Sequence, residues 1–246
     1  MLTEKFLPGD VVGRKLATEV GTSDLSPEVQ RIIDQVWPFT MTSKERLAAL
    51  TSSIEYVVAS DIPGAIVECG LWRGGSLLAA VLQLRDLGVA DRDIWGFDTF
   101  YGMTAPTDAD ADYQGKLSPA EWFEEQAQNP AEGTSERDIR SRLQAAGYPP
   151  ERIKLVAGKV EDTIPANAPA EIALLRLDTD WYESTLHELE HLYPRLAVGG
   201  ILIIDDYGHY QGCKKAVDEY FAGDRIFLQR IDYTGRVAVK QGPRQG

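Results

Sequence analysis

Five short apolar runs constrain this chain more than any other feature, because each ends in glycine or an acidic residue. AIVECG (65–70), IWGFD (94–98), IKLVAG (153–158), IALLRLD (172–178) and GILIIDD (200–206) have the length of strands. Continuous apolarity, in place of strict alternation, suits strands covered on both faces, as in a parallel sheet flanked by helices. The segments between them read as helices. GGSLLAAVLQLRDLG opens on small residues and stops at Gly88, a C-cap glycine. From Glu183, Leu186, Leu189 and Leu192 recur at helical spacing, and CKKAVDEYF from Cys213 supplies another helix. Strands alternating with helices predict an α/β protein with a mostly parallel sheet.

A chain of 246 residues suits one domain with additions. Residues 1–60 read as an N-terminal helical cap, 61–100 and 138–246 as the α/β core, and 101–137 as a lid on the acceptor side. That lid is polar, contains proline and aspartate, and is too long for an ordinary βα connection. Trp122 and Phe123 inside it argue for docking and against a functionless disordered insertion.

Thirty-eight Asp+Glu against 25 Lys+Arg give a net charge of -13, which repels nucleic acid and anionic membrane surfaces. Neither is expected as a partner. The N-terminus MLTEKFLPGDVV carries charge and a proline where a signal peptide needs an apolar run. Cys69 and Cys213 stand far apart without a CxxC spacing, which fits a reducing compartment. A cytoplasmic location is expected.

In an open parallel sheet, ligands bind at the carboxyl ends of the strands, so the residues closing each run are the candidate site. Glu68, Gly70, Gly74, Gly75 and Ser76 occupy the first strand-to-helix turn, where glycines allow close backbone approach. Their spacing departs from the GxGxxG of pyrophosphate binders. Glu68 would repel a pyrophosphate and attract a ligand carrying an ammonium and a sulfonium, such as S-adenosylmethionine. Asp98 closes the second strand where an acid accepts from ribose hydroxyls, with Thr99 beside it; a turn or helix-cap role is the alternative. Adenine is expected near Gly158, Lys159 and Val160.

Asp178 and Asp180 follow the fourth strand, and Asp205 and Asp206 close the fifth. So many carboxylates at one edge need a cation or a shared proton, and hard oxygen donors suit Mg²⁺. Such an ion would favour the alkoxide form of an acceptor hydroxyl. Strand alternation predicts Asp178 and Asp180 on the same side, one as ligand and one as base. The competing reading makes Asp205-Asp206 a solvated pair and Asp180 a helix N-cap.

PFTMTSKERL, VECGLWRGGS, GFDTFYGM, LRLDTDWYEST and GGILIIDDYGHYQGCKKAVDEYF together resemble the macrocin O-methyltransferase (TylF-type) family, whose members methylate sugar hydroxyls of macrolide and aminocoumarin antibiotics. The resemblance spans almost the whole chain. It implies a Rossmann-like class I methyltransferase fold: a mostly parallel seven-stranded sheet with helices on both faces, an N-terminal helical extension and a lid insertion. It further implies S-adenosylmethionine and Mg²⁺ as cofactors, the ion on Asp178, Asp205 and Asp206, and a base at Asp180 or Asp178. Thr42 and its neighbours would close over the cofactor with the region after Asp98, and Asp178 would border it. A small-molecule glycoside as acceptor and a homodimer or larger homo-oligomer are implied as well. His209 and Tyr210 are candidates for touching the acceptor, and Trp72 and Trp181 for lining the pocket or for packing. The alternatives are a metal-dependent catechol or phenol methyltransferase, a non-catalytic adenosine-binding or nucleotide-sugar module, and a dehydrogenase, which the missing pyrophosphate fingerprint disfavours.

Overall fold

The computed structural model describes residues 24–116, 135–223 and 226–242. Trp122 and Phe123, residues 117–134 of the expected lid, and the first 23 residues of the expected cap lie outside them.

Helix α1 (Pro27–Val36) begins where Ser26 Oγ accepts the Val29 N–H and proline occupies the first turn. Helix α2 (Lys44–Ala59) is capped in the same way by Ser43, which accepts from Arg46 N at 3.1 Å. The core units then follow: β1 (Ala65–Cys69), α3 (Gly75–Asp86), β2 (Ile94–Asp98), α4 (Glu136–Ala145), β3 (Ile153–Ala157), the single turn α5 (Val160–Thr163), β4 (Ile172–Leu177), α6 (Tyr182–Leu192), β5 (Leu196–Ile204) and α7 (Gln211–Tyr220). Two short strands close the chain, β6 (Gln229–Arg230) and β7 (Arg236–Val239).

The seven strands lie in the order β3-β2-β1-β4-β5-β7-β6. Pairings from β3 through β5 are parallel, while β7 pairs antiparallel with both β5 and β6. β1 therefore neighbours both β2 and β4, and the winding reverses between β1 and β4. That reversal opens a crevice at the carboxyl edge, the place where open α/β sheets hold ligands.

Neighbouring residues of one strand enter different cores, which puts helices on both faces. Ile66 joins Ile32, Leu47, Ile54, Leu77 and Ile139 from α1 to α4, whereas Val67 joins Leu189, Leu192, Cys213 and Val217 from α6 and α7. Helices α1 and α2 thus belong to a core layer, since Ile32, Ile33, Val36 and Leu47 are fully buried. β3 is only partly covered, against the expectation of burial on both faces, because it forms the sheet edge. β5 starts four residues ahead of its expected first residue. Gly199 takes a left-handed φ of 84° there, and the register with β4 shifts between Ile172 and Leu174. Among the described residues no helix is long and apolar enough to cross a membrane.

Candidate active site

The loops leaving β1, β2, β4 and β5 converge on one edge, and a buried arginine organises it. Arg176 sits in β4 opposite Glu68 of β1, and its side chain is 3% exposed. Nη1 donates to Glu68 Oε1 at 2.5 Å and to Asp178 Oδ2 at 2.7 Å, and Nη2 donates to Asp205 Oδ1. Burial alone would lower its pKa, but the Asp178 and Glu68 carboxylates hold it above the usual range. A second guanidinium comes from α2. Arg46 donates through Nη1 to Asp205 Oδ2 and through Nε to Asp232 Oδ2 at 3.0 Å. Thr42 Oγ1 also reaches Asp205 Oδ1, at 3.3 Å.

Neither arginine is among the residues the sequence analysis proposes for the site, although one signal was available. An arginine inside the apolar run IALLRLD requires a carboxylate partner if that strand is buried. Arg176 gives Glu68 a partner within the chain. The expected counter-charge was the ammonium and sulfonium of a ligand; Arg176 supplies it, and Glu68 is itself buried. Burial lifts the Glu68 carboxyl to about 8 against the downward pull of Arg176.

Asp180 and Asp206 make up the less satisfied half of the cluster. Asp206 is buried, and its Oδ2 has no hydrogen-bond partner among the described residues. Burial, followed by the Asp180 and Asp178 carboxylates, pushes Asp206 well above the ordinary range, and burial raises Asp180 to about 7. Two such carboxyls side by side share a proton or accept a cation. Asp178, Asp205 and Asp206 each bring an oxygen within 4.8 Å of the others. These all-oxygen donors, together with the orphaned Asp206 Oδ2, fit a hard divalent ion such as Mg²⁺. Asp205 keeps capacity for a ligand because each carboxylate oxygen has two lone pairs.

Strand alternation does not explain how Asp180 arrives there. β4 ends at Leu177, and Asp180 adopts a left-handed φ of 69° in the following turn. Thr179 fixes that turn by donating to both oxygens of the fully buried Glu188 on α6, each at 3.1 Å. Gly70, at φ 81°, is required beside it, since a Cβ would overlap the Asp178 carbonyl. Asp180 is not the N-cap of α6 either. Trp181 holds that position, and the Tyr182 N–H is taken by Asp110 Oδ1 at 2.7 Å.

On the cofactor side, Asp98 ties two loops together. Its Oδ2 accepts from Leu71 N at 2.6 Å and Trp72 N at 3.2 Å, and Oδ1 accepts from Phe100 N at 2.7 Å. The expected turn role is therefore present, alongside the expected position at the strand end. Thr99 Oγ1 closes the next turn on Gly102 O, and Gly158 N donates to Asp98 O at 3.0 Å, which brings Gly158, Lys159 and Val160 beside it. Gly74, Gly75 and Ser76 lie at the start of α3. The room beside Gly74 is occupied by Ile139, that beside Gly75 by the Phe39 carbonyl, and Ser76 is buried, so this space serves packing within the chain.

The first part of the expected lid is a strap docked over α6 and α7. Trp181 Nε1 donates to Thr104 O at 2.9 Å and packs edge-on against Tyr210, which assigns Trp181 to packing. Trp72, by contrast, is partly exposed, with Arg73 stacked over its ring. Asp110 is fully buried beneath the strap, Ala111 O accepts from Gln211 N at 2.8 Å, and Asp112 bridges to Tyr210.

A sequence profile described as Macrocin-O-methyltransferase (TylF) matches residues 15–239. The chain is 36% identical over 191 residues to demethyldecarbamoylnovobiocin O-methyltransferase of Streptomyces niveus, covering 76% of this chain and 70% of that one. It is 34% identical over 220 residues to the 8-demethyl-8-(2,3-dimethoxy-α-L-rhamnosyl)-tetracenomycin-C 4'-O-methyltransferase of Streptomyces olivaceus, covering 87% and 80%. Among solved structures it resembles the O-methyltransferase NovP with a TM-score of 0.73 at 32% identity, over 83% of each chain. The chain belongs to the macrocin O-methyltransferase (TylF) family and has the S-adenosylmethionine-dependent O-methyltransferase fold.

Proposed function

We propose that this enzyme methylates a sugar hydroxyl of a glycosylated natural product, using S-adenosylmethionine and a Mg²⁺ ion held by Asp178, Asp205 and Asp206. The observation that carries this reading is the convergence of those three carboxylates, with a buried Asp206 Oδ2 unpartnered among the described residues, next to Asp180 at the carboxyl edge. When bound, the donor supplies an electrophilic methyl group, and the ion acidifies the acceptor hydroxyl. Asp180 accepts the hydroxyl proton at its carboxylate, because a carboxyl at about 7 is matched to proton transfer near neutrality. Asp178 is assigned to the ion, with its Oδ2 already accepting from Arg176 Nη1 at 2.7 Å. Gly70, Asp98, Thr99, Gly158, Lys159 and Val160 border the donor, and Thr42 closes that side through Asp205.

The sugar acceptor is supported by the relative that acts on a rhamnosyl-tetracenomycin. The same reading comprises one domain with 101–137 as an acceptor-side lid, a homodimer or larger assembly, and a cytoplasmic location. The test is methyl transfer to a rhamnosylated acceptor with Mg²⁺, with and without excess chelator. Chelation is expected to abolish turnover while donor binding, followed by calorimetry, persists. Undiminished turnover in chelator refutes the metal role, and methylation of a catechol in preference to the glycoside refutes the acceptor class.

A further inference from the structure

We propose that Tyr113, His209 and Tyr233 form a platform that receives one face of the acceptor's pyranose ring, an inference that rests on the sugar-acceptor reading above. The three rings come from separate parts of the chain: the strap, the turn after β5, and the β6–β7 hairpin. Ring centres lie 5.4 Å apart for Tyr113 and His209 and 5.9 Å for His209 and Tyr233. The Tyr233 hydroxyl and His209 Nδ1 are hydrogen-bonded at 3.2 Å.

The platform is fastened to the acidic cluster through backbone. His209 N donates to Asp206 O at 2.9 Å, Gly208 N donates to Thr234 O at 3.0 Å, and Thr234 Oγ1 donates to Asp205 O at 2.8 Å. Gly208 leaves no space for a Cβ because the Tyr233 carbonyl lies against it. On the opposite side the strap is pinned by Asp110. Its Oδ2 accepts from Thr107 N and Oγ1 at 2.7 and 2.8 Å while Oδ1 holds the start of α6. Tyr113 thus stands at a fixed place relative to Asp205 and Asp206.

Tyr113 and Tyr233 flank His209 at interplanar angles of 50° and 79°, so the three rings form a tilted cup, and its exposed rims need a use. Tyr113 is 50% exposed and Tyr233 39%, so neither owes its position to core burial. Aromatic faces are electron-rich and attract the weakly positive C–H groups of a pyranose face. Phenol hydroxyls and an imidazole both donate and accept, which suits a ring fringed with hydroxyls. Because the platform begins three residues beyond Asp206, a ring lying on it is positioned to present an edge hydroxyl to the carboxylates.

The test is saturation-transfer NMR with methyl α-L-rhamnopyranoside in the presence of Mg²⁺ and S-adenosylhomocysteine, which prevents turnover. Wild type, Tyr113→Ala, Tyr233→Ala and Tyr113→Phe are compared, with donor affinity measured in parallel. Saturation of the sugar ring protons is expected in wild type. Each alanine variant should weaken sugar binding by about fivefold, with Tyr113→Phe close to wild type and donor affinity unchanged. Equal sugar binding in the alanine variants overturns the platform and leaves the acceptor class standing. A wild type that does not bind the rhamnoside overturns both.

Discussion

Replacing Arg176 by methionine removes the one side chain that binds Glu68, Asp178 and Asp205 together, and its effect can be worked out contact by contact. Breaking a buried ion pair by deleting one partner typically costs about 3–5 kcal/mol. The low end applies here for three reasons. Burial raises the Glu68 carboxyl to about 8 even beside Arg176, so at neutral pH it stays a neutral acid when its partner leaves. Asp205 keeps Arg46 and Thr42, and the Asp178 side chain is 29% exposed and can turn to water. A loss of about 3 kcal/mol is expected, which for a domain of this size lowers Tm by roughly 6–12 °C. Urea denaturation followed by circular dichroism measures it, in parallel with Glu68→Leu and the double variant. Because an apolar pair replaces a buried ion pair at little cost, the double variant should recover most of the loss. A single variant within about 1 kcal/mol of wild type, or a double variant no more stable than the single, would refute the organising role of Arg176.

Asp180→Asn removes the proposed proton acceptor but keeps its shape, so kcat should fall about 10²–10⁴-fold with donor affinity retained; a kcat near wild type assigns the base elsewhere. Raised carboxyls tie both stability and ion affinity to pH. In metal-free protein Asp180 binds its proton more tightly folded than unfolded, so its stabilising contribution is complete below the ordinary carboxylate pKa and is lost as pH rises through about 7. Melting temperature without Mg²⁺ should therefore fall between pH 5.5 and 8, and calorimetric Mg²⁺ affinity should rise over the same interval; a flat pair of profiles contradicts the shared-proton picture. Asp98→Ala frees the backbone N–H groups of Leu71, Trp72 and Phe100, and should weaken donor binding by about tenfold or more, with an unchanged dissociation constant removing Asp98 from the donor site.

The strand ends that build the site were legible because burial of a parallel sheet forces continuous apolar runs, and polar residues mark where each run meets the carboxyl edge. β1, β3 and β4 each stop one residue before the expected end, and β2 matches throughout. β6 and β7 carry no such signature: they have two and four residues, Gln229 and Arg230 are exposed, and pairing alone defines them. The acids were legible as types and positions, but their partners were not. Arg176 lies 108 residues from Glu68, and Arg46 lies 159 from Asp205, so only folding brings these charges together. Asp180 shows the other limit. Its place is set by a left-handed turn anchored on Glu188, which period-two reasoning cannot anticipate.

Charge explains why the cluster is divided as it is. Six carboxyls, those of Glu68, Asp178, Asp180, Asp205, Asp206 and Asp232, meet the two guanidiniums of Arg46 and Arg176. Arginine keeps its proton throughout the physiological range, so the groups it holds have a fixed positive partner and serve as framework. Glu68, Asp205 and Asp232 are such groups, and Asp178 shares in them from the rim. Asp180 and Asp206 have no guanidinium contact among the described residues. The exchangeable positive charge of the site, whether proton or dication, therefore belongs with that pair. A reaction that must take a proton from a weakly acidic hydroxyl and stabilise the resulting oxyanion needs such an exchange. A third arginine placed against Asp180 and Asp206 would hold both as carboxylates and leave the pair nothing to exchange.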